Sequence, residues 1–335
     1  MRHFIKGILP GPIKKWLKNK RKQISLISAY KYDYIRYNRY SASSGFTDKI
    51  RLESQIIKQY HVVEKGLTMP EPRLGFGVDN IILLSNNCLL FLSTYGLTPQ
   101  VEHAISVIVE YYEFHKKCNF ELSKFLQKKM DEILDVANKY NIIMANQVYI
   151  SKEDFFQNSN SNFLEFSASR KSVRNYSEEN IHIDTIKNVV ELAQNTPSAC
   201  NRQTSRVYIY DNKEQIKKIF EVQNGNRGFG HLTNKLIVIV AELGVFANPM
   251  ERNQAFIDGG MYAMNMLYSL HHHKIAACIL NCSNIPQVDR RMRKASGIKE
   301  SEIFIAMIAC GIPPVSFSIA ASKRLISEDI LTIIQ

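Results

Sequence analysis

Residues 253–271 form a stretch of nineteen residues with one charged side chain, Asp258. Read as a helix, it is apolar or small on most faces, so it folds only where other elements cover it on several sides. The flanking sequence offers that cover. Residues 206–210, 236–241, 276–280 and 303–309 are rich in β-branched and small apolar residues and read as buried strands, the last closed by Gly311-Ile-Pro-Pro314. Residues 184–195 read as an amphipathic helix, with Asp184 as N-cap and Ile186, Val189, Val190 and Leu192 on its apolar face. Such mixing predicts an α+β fold, a sheet flanked by helices around the 253–271 helix.

The first half of the chain differs. Helical periodicity recurs at 48–60, 80–94, 99–117 and 120–140, and no strand signal appears before residue 165. Between the first two helices, residues 61–77 contain Gly66, Pro70, Pro72, Gly75 and Gly77 and read as a loop of fixed turns bearing His61, Glu64, Lys65 and Arg73. The polar stretch 157–162 reads as a linker. The expected organisation is a basic arm (1–40), a mostly helical region (41–160) and an α+β domain (165–335).

The charge is concentrated in the arm. The chain has a formal net charge of +12, and residues 1–40 hold eleven Lys or Arg, Arg2 and Lys6 among them, against one acid, Asp33. The rest is nearly neutral, so a nucleic-acid partner is not expected. Trp16, Leu17, Ile24 and Ile27 make the arm amphipathic, and five tyrosines follow. It reads as a solvated helix or tail, or as a peripheral contact with an anionic membrane face. No apolar run of about 20 residues predicts a spanning helix, and no secretory leader is expected. The six cysteines are scattered without a CxxC pair, as isolated thiols of a reducing cytoplasm would be. His271, His272 and His273 are helix neighbours that point apart, so no metal site is expected.

Chemistry gathers at Ser169-Arg-Lys-Ser-Val-Arg-Asn-Tyr176. In an extended chain Arg170, Ser172 and Arg174 project the same way, and two guanidiniums with a hydroxyl suit a phosphate. Some twenty residues later comes Thr196-Pro-Ser-Ala-Cys-Asn-Arg-Gln203, a turn after a helix. The amides of Asn201 and Gln203 can pair with the edge of a heteroaromatic ring. Arg170, Ser172, Arg174, Pro197, Ser198, Asn201 and Gln203 occupy the fixed positions of R-x-S-x-R and P-S-x-x-N-x-Q, and here the chain resembles the nitroreductase family of flavoproteins. Further pieces over 165–335 agree in order and spacing: 258–265 at the start of the central helix, 276–281 at the strand passing the flavin edge, Gly311-Ile-Pro-Pro, and Ser322-Lys-Arg324.

The resemblance implies FMN bound at the interface of an intertwined homodimer, with NAD(P)H as hydride donor in a ping-pong oxidoreduction. Arg170, Ser172, Arg174 and Arg324 would hold the phosphate and ribityl chain, with Lys323 nearby. Pro197, Ser198, Asn201 and Gln203 would reach across from the partner copy, and Leu280 and Asn281 would pass close to the ring. No catalytic side chain is implied, because the flavin carries the chemistry. Thr204-Ser205 replaces the family's usual Pro-Trp after the Gln, so that wall of the pocket differs. Residues 223–231 are glycine-rich but precede a strand, the wrong order for a dinucleotide fingerprint; they read as a loop on the substrate side. Arg227, His231 and Arg252 are then substrate contacts. Residues 61–77 read as a lid over the flavin or an extension of the dimer interface, the lid favoured because Glu64, Lys65 and Arg73 are costly to place on a loop packed only for structure. The helical first half resembles a long subgroup often encountered with surface-polysaccharide synthesis. Alternatives are an FMN protein with oxidase or flavin-directed chemistry, and a membrane- or polyanion-binding protein on a relic flavin fold.

Overall fold

The computed structural model describes residues 10–42, 45 and 48–334; Arg2 and Lys6 lie outside them. Helix α1 (Gly11–Tyr40) opens with Pro12 in its first turn and has no buried residue. It touches the body along one face. Lys22 donates to the Ala247 carbonyl at 3.2 Å, and the Arg252 guanidinium grips Asp33 through bonds of 2.7 and 2.9 Å.

Helix α2 (Lys49–Leu67) starts where the Asp48 carboxylate accepts the Arg51 N–H. Contrary to the sequence reading, it does not stop near Tyr60. Val63 and Glu64 continue the buried stripe of Leu52, Ile56 and Tyr60. Gly66, read as a breaker, is a packing residue, since a Cβ there would fall 2.0 Å from the Phe76 ring. His61, Glu64 and Lys65 are therefore helical, and only the segment after Leu67 turns. Helices α3 (Val78–Tyr95), α4 (Pro99–Lys117) and α5 (Lys124–Tyr140) pack with α2 around Tyr60, Phe91, Ile105, Tyr111 and Met130. Ser123 caps α5, which begins later than the sequence suggested. His115 binds the turn to α4: its Nδ1–H donates to the Tyr111 carbonyl at 2.8 Å, and its Nε2 accepts the Gly75 N–H at 2.9 Å. Burial lowers its pKa, which matches a neutral ring with one acceptor nitrogen.

A strand does occur before residue 165. β1 (Val148–Ser151) pairs antiparallel with β6 (Ser316–Ile319), clipping the helical region to the far end of the chain. Four residues are too few for alternation to show in sequence. Helix α6 (Lys152–Phe156) sends Phe155 and Phe156 into the core beneath the main sheet, and α7 (Phe163–Ser169) leads to Arg170. Helix α8 (Ile183–Ala193) is preceded by His182 at the N-cap position. Asp184 sits inside the first turn, paired with Lys187 at 2.7 Å, and is not the cap. The helix dipole favours an acid there as well, so composition alone did not separate the two positions.

The remaining elements are β2 (Ser205–Tyr210), α9 (Lys213–Phe220), β3 (Lys235–Glu242), α10 (Gln254–His272), β4 (Ala276–Asn281), α11 (Pro286–Ser296) and β5 (Glu302–Gly311). The main sheet runs β2-β3-β5-β4, antiparallel throughout, with a register shift at Ile239/Val240. Ile237, Ile239, Ile308 and Cys310 meet α8 and α10 on one face. Leu236, Val238, Cys278, Leu280 and Phe304 meet Phe155, Phe156 and α9 on the other. The fold is the expected α+β architecture. Burying apolar area at about 25 cal/mol per Å² is what holds such layers together.

Candidate functional site

Residues 170–174 extend the main sheet beyond its β4 edge. Ser172 bridges Ala277 in parallel, and the Val173 N–H donates to the Ala277 carbonyl at 3.0 Å. Tyr176 pins the segment, its buried hydroxyl shared between the carbonyls of Val173 (2.7 Å) and Ala309 (2.9 Å). Its ring stem lies against Gly311, where a Cβ would come within 2.7 Å of Tyr176 Cβ and Cγ. Gly311→Val is expected to destabilise the protein by about 1–3 kcal/mol through overpacking. Urea denaturation of the pure variant checks it; an unshifted midpoint would show that the ring moves freely.

The segment brings cations together. Arg174 is buried, Arg170 and Lys171 are half-buried, and Nε of Arg170 is buried with no hydrogen-bond partner among the described residues. Burial lowers the Arg170 pKa, and the Arg324 charge adds to the lowering. Lys171 is lowered by burial and by the charges of Arg324 and Arg170. Lys65, reaching in from α2, is lowered by burial and then by Arg174. Among the described residues none of Lys65, Arg170, Lys171, Arg174 and Arg324 is ion-paired to a carboxylate. Five cations from three parts of the chain thus converge, none of them ion-paired among the described residues. Cys278 lies among them; burial raises its thiol pKa against the pull of Arg174, Lys65 and Arg170. An anion with several acceptor oxygens is the group this arrangement fits.

The second half of the motif lies elsewhere. After α8, Cys200, Asn201 and Gln203 take left-handed φ values of 54°, 52° and 50°, folding the chain into a tight reversal. The Gln203 N–H donates to Ser198 Oγ at 2.9 Å, and the Ala199 N–H lies 3.2 Å from the Asp258 carboxylate. Thr196, Pro197, Ser198, Gln203, Asp258 and Tyr262 line a cavity of about 120 Å³. Asn201 is exposed. Asp258 stands near the start of α10, whereas Arg170 packs beside His271 at its end. Those positions are roughly 20 Å apart along the helix at 1.5 Å per residue. One copy of the chain therefore presents the two halves of the motif at opposite ends of α10.

Other expected residues sort as follows. Leu280 is buried on the same face of β4 as Cys278, and Asn281 points the other way, its carbonyl accepting from Gln223 Nε2 at 3.1 Å. Arg227, His231, Arg73 and Lys323 are exposed. Arg252 is not free for a substrate, because Asp33 holds it. Nor is Glu64: fully buried, it accepts from His103 Nε2 at 2.9 Å and from the Ser322 N–H at 3.1 Å. Burial alone would raise its pKa, but the bonds from His103, His61 and Ser322 hold it at about 2. Residues 61–67 are accordingly part of the framework and form no lid. Sequence reasoning missed Lys171, masked by its place between two motif residues. His271 was also read only against metal binding. It is buried among Phe155, Phe156 and Phe166, with Nε2 2.8 Å from Ser169 Oγ. Among the described residues no group of three His, Cys, Asp or Glu is placed to hold a metal, and no helix is long and apolar enough to cross a membrane.

Residues 168–226 match the model of the Nitroreductase family. No curated protein matches the chain. Solved structures similar to it include the nitroreductase family protein of Streptococcus pneumoniae, at 15% identity over 52% of this chain and 100% of that one, TM-score 0.45. A Desulfovibrio desulfuricans protein solved in complex with FMN shares 18% identity over 52% of this chain and 98% of its own, TM-score 0.45. An FMN-dependent nitroreductase of Clostridium difficile shares 17% over 49% and 92%, TM-score 0.40. The matched segment carries the R-x-S-x-R element, the α8 helix and the P-S-x-x-N-x-Q turn in order, and over these residues the chain is similar to the nitroreductase family.

Proposed function

We propose that this chain is an FMN-dependent oxidoreductase that takes a hydride from NAD(P)H and passes it to a small organic acceptor in a ping-pong sequence. The observation that carries the reading is the convergence of Lys65, Arg170, Lys171, Arg174 and Arg324 without a carboxylate, with the buried Nε of Arg170 lacking a partner. FMN, when bound, supplies the hydride-carrying ring. Arg170, Lys171 and Arg324 hold its phosphate, with Ser172 along the ribityl chain and Lys323 at the rim. Arg174 and Lys65 place positive charge beside Cys278, and Leu280 and Asn281 would lie near the bound ring. Pro197, Ser198, Asn201 and Gln203 serve the site of a partner copy, because the span of α10 separates them from the arginines of their own chain. The flavin domain covers 165–335, and its helical region associates it, by resemblance, with surface-polysaccharide synthesis.

Yellow colour on purification, flavin absorbance and NAD(P)H consumption test the reading. A full-length protein that scatters light as a monomer while carrying one FMN per chain would refute the shared site.

A specific observation favours a second role for α1, peripheral contact with an anionic bilayer. Lys22 and Asp33, three turns apart, face the body. Ile13, Ile24 and Ile35, also three turns apart, lie on the opposite side with Trp16, Ile27 and Tyr34, and Ile24 and Ile27 are 66% and 68% exposed. Lys14, Arg21 and Arg39 flank that stripe, while Lys20 and Lys31 within it have stems long enough to snorkel. Vesicles with anionic lipid are expected to bind the protein at low salt and release it at high salt. Removing residues 1–40 should abolish the binding; retention after removal would place the contact elsewhere.

A further inference from the structure

The C-terminal strap reaches the cation cluster through one unusual turn. After β6 the chain passes Ala320 and Ala321, and Ser322 takes a left-handed φ of 48° before Lys323 and Arg324. A residue with a Cβ adopts that conformation only when its surroundings hold it there. Two side chains of the helical region supply the hold. Glu64 on α2 accepts the Ser322 N–H at 3.1 Å, and its orientation is fixed by His103 of α4 at 2.9 Å. Gln147, just ahead of β1, accepts the Ala321 N–H through Oε1 at 2.9 Å. Glu110 of α4 fixes Gln147 in turn, accepting its backbone N–H at 2.8 Å and its Nε2 at 2.9 Å. The amide is thereby oriented with its oxygen toward the strap.

Arg324 needs such a mount, because it stands close enough to Arg170 and Lys171 for like charges to repel. Left to itself, the strap would carry this exposed guanidinium away from Arg170 and Lys171. The two consecutive N–H groups immediately before Lys323 are the ones captured, so the latch acts at the base of the side chains that meet the anion.

We propose that Glu64 and Gln147 are positioning residues for Arg324, latching the backbone of Ser322 and Ala321 so that the helical region of this chain completes the phosphate end of the cofactor site. The proposal rests on the reading of the cation cluster as an FMN phosphate site. It gives the helical region a task that neither the fold family nor the motif assigns: without the latch, the arginine is present but misplaced.

The test titrates flavin-stripped, full-length protein with FMN and, separately, with riboflavin, which has the same ring and no phosphate. Glu64→Leu and Gln147→Met are expected to raise the FMN Kd about tenfold, the scale of one lost charge-assisted contact, and to change the riboflavin Kd less than about twofold. Glu64→Gln keeps an acceptor for the Ser322 N–H and should recover most of the loss. In an Arg324→Ala background neither latch variant should weaken FMN further, since the group they position is gone. If Glu64→Leu fails to fold, Gln147→Met at its half-exposed site carries the test. Equal weakening of FMN and riboflavin, or a tenfold FMN loss persisting without Arg324, would overturn the latch. A wild-type protein that binds FMN no more tightly than riboflavin would instead overturn the phosphate reading on which it rests.

Discussion

Arg170→Ala combined with Arg324→Ala is expected to lower FMN affinity roughly a thousandfold, two lost charge-assisted contacts to one phosphate at about 1.5–3 kcal/mol each. Arg170 is half-buried with an unpartnered Nε, so its charge is poorly solvated and gains most from an incoming anion. Arg324 is exposed and adds less by itself. Riboflavin binding should fall far less, since it has no phosphate to lose. The apo form of the double variant should be at least as resistant to urea as wild type, because two mutually repelling cations are gone. Unchanged flavin stoichiometry in this variant would refute the phosphate assignment.

Acid is expected to destabilise the protein through His271. Burial, with the Arg170 charge adding to it, lowers this imidazole from 6.5 to about 4. The unfolded chain therefore takes up the proton first as pH falls. The stability contribution is complete above about pH 6.5, declines as pH drops toward 4, and is fully lost below that, a difference of up to about 3 kcal/mol. Denaturation midpoints between pH 7 and 4.5 should follow this slope, and His271→Phe should flatten it. A bound phosphate next to Arg170 would offset part of the charge that opposes protonation, so FMN should reduce the acid sensitivity. An unaltered slope in His271→Phe would assign the effect to other groups, His115 first among them, whose pKa burial also lowers.

Much of the α+β half was readable because its signals are local. The single charge in 253–271 marks a helix that must be covered; α10 packs against α8 and the sheet, while Phe256, Ile257 and Met261 in its first half stay exposed. The β-branched runs mark β2 and β3 for the same reason. What escaped depended on partners far along the chain. Gly66 looks like a helix breaker until Phe76 is seen to occupy the space its Cβ would need. β1 has four residues, and only β6 gives it meaning. Glu64 on a supposed loop suggested a substrate contact, yet its partners are His103 and Ser322, 39 and 258 residues away. The arginines of the site were legible because R-x-S-x-R places them on one edge of an extended chain. Lys65 was legible only as a charge on a loop, since its route to Arg174 depends on α2 continuing to Leu67.

The central claim is that the cation cluster binds FMN, with Arg170, Lys171 and Arg324 holding its phosphate. Quantifying the flavin released when the purified full-length protein is denatured tests it most directly, after incubation of the native protein with excess FMN and removal of the unbound fraction. One FMN per chain is the predicted result, falling to none in Arg170→Ala/Arg324→Ala. A colourless wild-type protein that takes up no FMN would contradict the claim.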